Sequence, residues 1–298
     1  MKSSHPTRSA RLRALMADHC VALPGAINAL SARAIERAGF EAMYLSGAVL
    51  SNSVLGVPDV GLTTLSEAVA HARRCVAVTD LPTIMDADTG FGEGEDNVAR
   101  TVQEFEHAGL SGLHLEDQEF PKRCGHLTGK SLVPCEEFCA KLAAAVAARR
   151  DPDFLIVART DARGVTSYDD AVARAHAYLK AGADAIFPEA LTTRDELARF
   201  ARDVSAPLLA NMTEFGKTPT LSVSEFAALG FRLVIFPVTL QRVAMRAMES
   251  ALAELRARGT QAGFIERMQT RQELYDLLYY DPGRPGGWMG GGNHGRDR

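Results

Sequence analysis

Phe105-Glu-His-Ala-Gly109-Leu-Ser-Gly-Leu-His-Leu-Glu116-Asp117 joins the end of a helical period to a buried strand. The glycine stands just past the last helical residue, where a left-handed stop costs least without a Cβ. The apolar run after it ends in carboxylates. The same phrase occurs three more times, with helical stretches ending in Ala-Gly or Leu-Gly at Gly39, Gly182 and Gly230, followed by Ala-Met-Tyr-Leu, Ala-Ile-Phe and Leu-Val-Ile-Phe. Seven residues beyond the four glycines stand Ser46, Glu116, Glu189 and Pro237, so all four units share one register. Three other strands are entered through prolines: Pro82 to Asp86, Pro152 to Arg159 with the strand itself starting near Phe154, and Pro207 to Asn211. With a first strand at 20–24 the count is eight. Helical periods at 8–18, 64–78, 94–108, 134–149, 168–181, 193–203, 222–229 and 239–257 accompany them. Strands that are apolar throughout and alternate with helices indicate a parallel sheet covered on its outer face. Eight such units predict an α/β fold, a single (β/α)8 TIM-type barrel with extra terminal helices; an open doubly wound sheet is the alternative. Residues 1–280 read as the barrel domain, and 281–298, rich in Gly, Pro and Arg, as a disordered tail.

Composition narrows the function. A chain of 298 residues, 46% hydrophobic and 23% charged, can bury a large core. Its formal net charge of −4 is spread along the chain, which suggests neither nucleic acid nor an anionic membrane as partner. No apolar run approaches the roughly 18 residues of a spanning helix, and no signal segment opens the chain, so a cytoplasmic location is expected. Five cysteines, an odd number without a secretion signal, are read as reduced thiols.

In a barrel the polar residues at strand C-termini face one end, where catalysis takes place. Here they are Ser46, Asp86, Asp88, Glu116, Arg159, Asp161, Glu189, Asn211 and Thr213. Asp86 and Asp88 are two apart, so on an extended backbone they leave one face and repel unless a cation or proton lies between them. Helix capping is the plainer explanation. Glu116 and Asp117 on the next strand favour a metal, since converging carboxylates with no lysine among them suit Mg2+ or Mn2+. Gly90-Phe-Gly92-Glu-Gly94 is not a phosphate loop, because its glycine spacing is wrong and Glu93, Glu95 and Asp96 would repel phosphate. Cys124 stands among Lys122, Arg123 and His126, and positive neighbours favour the thiolate. An incidental loop thiol, or a zinc ligand beside Cys135 and Cys139, is the alternative. The stretch 118–133 has no clear period and is expected to be a mobile active-site loop. Arg159 ends an apolar strand and needs a carboxylate of the protein, such as Glu189, or of a substrate. Arg242 and Arg271 carry little weight from composition alone. Together, a metal, arginines and a thiol point to a di- or tricarboxylate substrate.

Lys122-Arg-Cys124-Gly125-His126, Asp86-Ala-Asp88-Thr-Gly-Phe-Gly and Ala-Arg159-Thr-Asp161-Ala resemble the isocitrate lyase and phosphoenolpyruvate mutase superfamily. The likeness runs from about residue 8 to 280 and includes Tyr44-Leu-Ser46-Gly47, Phe187-Pro-Glu189-Ala, Asn211-Met-Thr213-Glu-Phe-Gly and Met268-Gln-Thr-Arg271. The Lys-Arg-Cys-Gly-His box marks the lyase branch, and the likeness as a whole is greatest to the enzymes that cleave 2-methylisocitrate; Ala48 departs from a glycine found in some of them. The resemblance implies Mg2+-dependent carbon–carbon cleavage of 2-methylisocitrate to pyruvate and succinate, a step of propionate catabolism through the methylcitrate cycle. It implies Asp86 and Asp88 as metal ligands with Glu116 acting through water, Tyr44 as the base, and Cys124 as the proton donor tuned by His126 and Lys122. Arg159 would offset charge on the pyruvate half and Glu189 would orient the site. Ser46, Gly47, Ala48, Gly125, Asn211, Met212, Thr213, Arg242 and Arg271 would complete the substrate contacts. A sister lyase acting on 2,3-dimethylmalate or another 2-hydroxy diacid is the rival reading, and a non-catalytic metal-carboxylate binding barrel a remote one. The resemblance further implies a homotetramer in which the last barrel helix is exchanged between subunits.

Overall fold

A computed structural model describes residues 6–123 and 129–283. Cys124, Gly125 and His126, and the tail from 284 onward, lie outside the described residues. Helix α1 (Arg8–Asp18), capped by the Thr7 hydroxyl, precedes β1 (Val21–Pro24) and α2 (Ala29–Arg37). Strand β2 (Met43–Leu45) runs into α3 (Gly47–Val49), which continues as a π-helical segment at Leu50–Leu55, and α4 (Leu65–Val76) follows. The next units are β3 (Thr83–Asp86) with α5 (Glu95–Ala108), β4 (Gly112–Glu116) with α6 (Cys135–Ala148), and β5 (Leu155–Thr160) with α7 (Ala162–Val165) and α8 (Tyr168–Lys180). Then come β6 (Ala185–Pro188) with α9 (Arg194–Asp203), β7 (Leu209–Asn211) with α10 (Val223–Ala228), and β8 (Leu233–Phe236) with α11 (Thr239–Arg258). A 3-10 segment at Ala262–Arg267 and α12 (Arg271–Leu278) end the described chain.

All strand pairs are parallel. They form a five-strand arc, β2 to β6 in sequence order, and a three-strand arc in the order β1-β8-β7. Single bridges, Gly25 to Tyr44 and Ile186 to Leu208, close the two seams into a barrel. Where β1 ends beside β8, a Cβ on Gly25 would lie 2.2 Å from the Pro237 carbonyl oxygen, so only glycine lets the chains approach there. The four glycines of the repeat have φ of 85°, 92°, 106° and 95° at 39, 109, 182 and 230, the left-handed stop their position predicts.

The core has two layers. Leu23, Tyr44, Ile84, Val157, Phe187, Leu209 and Ile235 point into the barrel, and Leu12 and Met16 of α1 join that cluster from its N-terminal mouth. The side chain of Leu12 is fully buried there, worth about 2 kcal/mol. The alternate strand residues, among them Met43, Met85, Leu113, Leu115 and Ile156, pack outward on Val98, Phe105, Phe138, Leu142 and Phe200 of the helices. Helix α11 differs from the others: it has no buried residue. Val243, Met245, Met248, Leu252 and Leu255 on it are exposed. No described helix is long and apolar enough to cross a membrane.

Candidate active site

The strand-end residues converge at the C-terminal mouth. Tyr44, Ser46, Ala48, Asp86, Glu116, Lys122, Arg159, Glu189, Asn211, Thr213 and Arg242 line one pocket, with Phe187, Ile235, Pro237 and Val238 as its apolar wall. All four positions counted from the repeat glycines, Ser46, Glu116, Glu189 and Pro237, are among its walls. Gly47 and Asp88 stand directly behind Asp86: the Gly47 amide donates to Asp86 Oδ2 at 3.3 Å, and the Asp88 amide to Asp86 Oδ1 at 3.0 Å. Besides Gly47, two expected contacts are not brought to its lining. Met212 is buried and turned toward the Leu221 amide, which donates to its sulfur at 3.5 Å, and Arg271 is exposed at the start of α12.

The acidic group is not free of lysine, as the strand ends alone suggest. Lys122 Nζ lies 2.7 Å from Asp88 Oδ1 and 2.5 Å from Asp59 Oδ1. Lys122 is therefore a counter-ion of the carboxylates, and its expected influence on Cys124 falls on a residue outside those described. Asp59 was not legible in advance: it belongs to Gly56-Val-Pro-Asp59-Val-Gly61, which reads as a turn. Asn52, also on the pocket wall, comes from the π-helical turn, a rare element that widens a helix at functional sites.

Burial, and then the charge of Asp86, pushes the Asp88 carboxyl up to about 7. At Asp86 burial opposes ionisation too, but His114, Lys122 and Arg159 outweigh it and hold that carboxyl below its ordinary value. The pair thus holds one firmly ionised group beside one that Lys122 compensates only in part.

Arg159 is held on three sides. Its Nε and Nη2 grip Asp161 at 2.9 and 3.2 Å, Nη1 lies 3.2 Å from Glu116 Oε2, and Nη2 lies 3.7 Å from Glu189 Oε2. Its main protein partner is Asp161, with Glu189 the most distant of the three. The guanidinium also sits 5.2 Å from the Phe187 ring centroid. Glu189 is oriented by the Ala190 amide at 3.0 Å and by Asn211 Nδ2 at 3.2 Å. Tyr44 and His114 share a 2.7 Å hydrogen bond between the phenol oxygen and Nε2. Burial raises the Tyr44 phenol well above its usual range and lowers His114 to about 4, so both rest neutral. His114 is the one polar side chain in the β4 run Gly-Leu-His-Leu ahead of Glu116, a signal that sequence reasoning passed over.

A family model described as phosphoenolpyruvate phosphomutase matches residues 12–256. The chain belongs to the phosphoenolpyruvate phosphomutase family. The resemblance read from its motifs is borne out. A protein of Corynebacterium glutamicum named probable 2-methylisocitrate lyase 1 is 54% identical over 92% of this chain and 90% of its own length. The 2-methylisocitrate lyase of Aeropyrum pernix is 53% identical over 87% of this chain and 83% of its own. Among solved structures, 2,3-dimethylmalate lyase superposes with a TM-score of 0.86 at 38% identity, covering 92% of each chain. Phosphonopyruvate hydrolase in complex with oxalate and Mg2+ superposes with a TM-score of 0.82 at 33% identity over 91% of this chain and 95% of that one.

No three His, Cys, Asp or Glu side chains among the described residues form a metal-holding group by themselves. Mg2+ seldom needs one, since it is bound through one or two carboxylates and keeps water for substrate to displace. Asp86 and Asp88 face the open side of Gly47, Asp88 lacks full charge compensation, and Glu116 Oε1 is buried with no hydrogen-bond partner. This donor set fits a hard, hydrated divalent cation.

Proposed function

We propose that this chain is a lyase that cleaves 2-methylisocitrate to pyruvate and succinate with Mg2+ or Mn2+, held by Asp86 and Asp88 with Glu116 acting through water. The observation that carries the reading is the pairing, across one pocket, of the Asp86 carboxylate, backed by Asp88, with the anchored Arg159 guanidinium. The named activity of relatives about half identical in sequence supports the choice of substrate. The cation would supply Lewis acidity at the substrate's C2 hydroxyl and neighbouring carboxylate.

The chain's own groups do the rest. Tyr44 takes the hydroxyl proton at its phenol oxygen while passing its own to His114 Nε2, 2.7 Å away. The C2–C3 bond then breaks: the oxygen lone pair becomes the ketone of pyruvate, and the bonding pair stays on succinate as an enediolate. Arg159 offsets the charge of the pyruvate carboxylate with the guanidinium edge that faces the pocket. Ser46, Asn211, Thr213 and Arg242 hold the outer carboxylates, and the Phe187 and Ile235 wall excludes water. Cys124 Sγ, assigned on sequence grounds with His126, donates the last proton to the succinate carbon.

The test is pyruvate release from 2-methylisocitrate with Mg2+, coupled to NADH oxidation, beside isocitrate and 2,3-dimethylmalate, the last also followed by substrate loss. Turnover of 2-methylisocitrate, abolished by EDTA and restored by Mg2+ or Mn2+, is the expected result. Cleavage of 2,3-dimethylmalate instead would favour the second reading, which rests on the 0.86 TM-score to that lyase. Silence on all three acids would leave a binding barrel. The assembly we propose is a cytoplasmic homotetramer with α11 exchanged between neighbours, supported by the exposed apolar face of that helix.

A further inference from the structure

Behind Arg159, away from the pocket, lies a buried ionic chain that the proposed reaction does not use. Asp161 is fully buried and receives the Arg159 fork on one side and Lys130 Nζ, at 2.6 Å, on the other. Asp117 fixes this arrangement from deeper in the fold. Its carboxylate accepts from the Asp161 amide at 2.9 Å, the Thr160 hydroxyl at 2.7 Å and the Tyr178 phenol of α8 at 2.8 Å. Its main chain is bonded to the Arg159 carbonyl and to the Val133 amide, so β5 and the segment carrying Lys130 are tied to the same residue.

The geometry has an electrostatic effect. Because Asp161 occupies the Nε and Nη2 edge, rotation of the guanidinium is fixed and the remaining N–H groups face Glu116, Glu189 and the pocket. A carboxylate alone behind Arg159 would also cancel much of the positive potential offered to an incoming anion. Lys130 offsets that loss, since its charge 2.6 Å from Asp161 neutralises that carboxylate and leaves Arg159 only Glu116 and Glu189 to answer on the pocket side.

We propose that Asp161 and Lys130 are positioning residues for Arg159: they set the guanidinium's orientation from behind and keep its charge available to the substrate carboxylate. The inference rests on the reading of Arg159 as the substrate's anion partner. It is tested with the full chain by calorimetric titration of oxalate in the presence of Mg2+, with thermal unfolding of each variant recorded. Lys130→Met is expected to weaken oxalate on the order of tenfold, and Lys130→Arg to return it to within about threefold, since a cation is restored. Phe138→Leu, which loosens the packing on Tyr178 in the same region, is expected to lower the melting temperature and leave oxalate affinity unchanged. Arg159→Ala is expected to abolish binding. Wild-type affinity in Lys130→Met, with binding lost in Arg159→Ala, overturns the inference and leaves the site reading intact. Wild-type affinity in Arg159→Ala removes both. A loss in Phe138→Leu equal to that in Lys130→Met makes the effect one of stability and also overturns the inference. Should Lys130→Met fail to fold, Lys130→Gln is expected to weaken oxalate to the same extent, and wild-type affinity in it overturns the inference in the same way.

Discussion

Gly47→Ala should separate metal binding from folding. A Cβ at residue 47 would lie 2.9 Å from Asp86 Oδ2 and 3.4 Å from Asp88 Oδ1. Ordinary contact begins near 3.4 Å, so the Asp86 carboxylate must retreat by about 0.5 Å. It has little room, since it is buried and its other oxygen is held by the Asp88 amide. Mg2+ demands near-ideal ligand distances of about 2.0–2.1 Å. A 1 Å misplacement in an active site costs about a hundredfold, so half of that should cost about tenfold, or ~1.4 kcal/mol, in metal affinity. Residue 47 opens a short helix and needs no positive φ, so the backbone accepts alanine and the strain falls on the carboxylates. The expected outcome is a folded chain with at most a small drop in melting temperature, a roughly tenfold higher Mg2+ requirement in the pyruvate assay and the same loss in Mn2+ titration. An unchanged Mg2+ requirement would refute the assignment of this space to the cation.

Arg159→Lys cannot reproduce the fork on Asp161 while reaching Glu116, and should lower kcat/KM by about 10²–10³-fold, checked by steady-state kinetics. Tyr178→Phe deletes a buried donor to Asp117; a loss of about 1–3 kcal/mol should appear in denaturant unfolding. The Glu225 carboxyl is lowered from 4.5 to about 2 by the Ser222 amide and then by Arg194, so its contribution to stability is present above pH 4.5 and is lost as pH falls toward 2. Glu225→Gln should therefore melt earlier than wild type at pH 6, with the gap closing through that window; a gap independent of pH would contradict the capping account. Leu252→Glu, on the exposed face of α11, should reduce the mass measured by sedimentation, and an unchanged mass would place the interface elsewhere.

The barrel was legible because its repeat is local. A glycine stop, a short apolar run and a polar end seven residues on are all sequence-near, and Ser46, Glu116 and Glu189 consequently reached the pocket where the count put them. Asp59 and Asn52 escaped because they arrive through the segment after β2, whose path is set by tertiary contacts and not by period. By position in the chain Lys122 is the neighbour of a thiol, whereas its long side chain folds back onto carboxylates from two other segments. Asp161 is by position one more strand-end acid, and only the packed structure turns it away from the pocket to brace Arg159. Met212 and Arg271 have only motif likeness behind them, and neither lines the pocket of this chain.

The two seams of the barrel divide labour as well as strands. Asp86, Glu116, Arg159 and Glu189, the groups with chemical work in the proposed reaction, all follow strands of the five-strand arc, whereas Asn211, Thr213, Ile235 and Arg242 belong to the three-strand arc. Each boundary between the arcs is a single bridge. Substitutions on the short arc, Asn211 with its bond to Glu189 excepted, can therefore reshape the half of the cavity that reads the outer part of an acid without disturbing the ladder that aligns the reacting groups. Such a scaffold is evolvable in one half and constrained in the other, an economical way for one ancestral reaction centre to be inherited by enzymes for different acids.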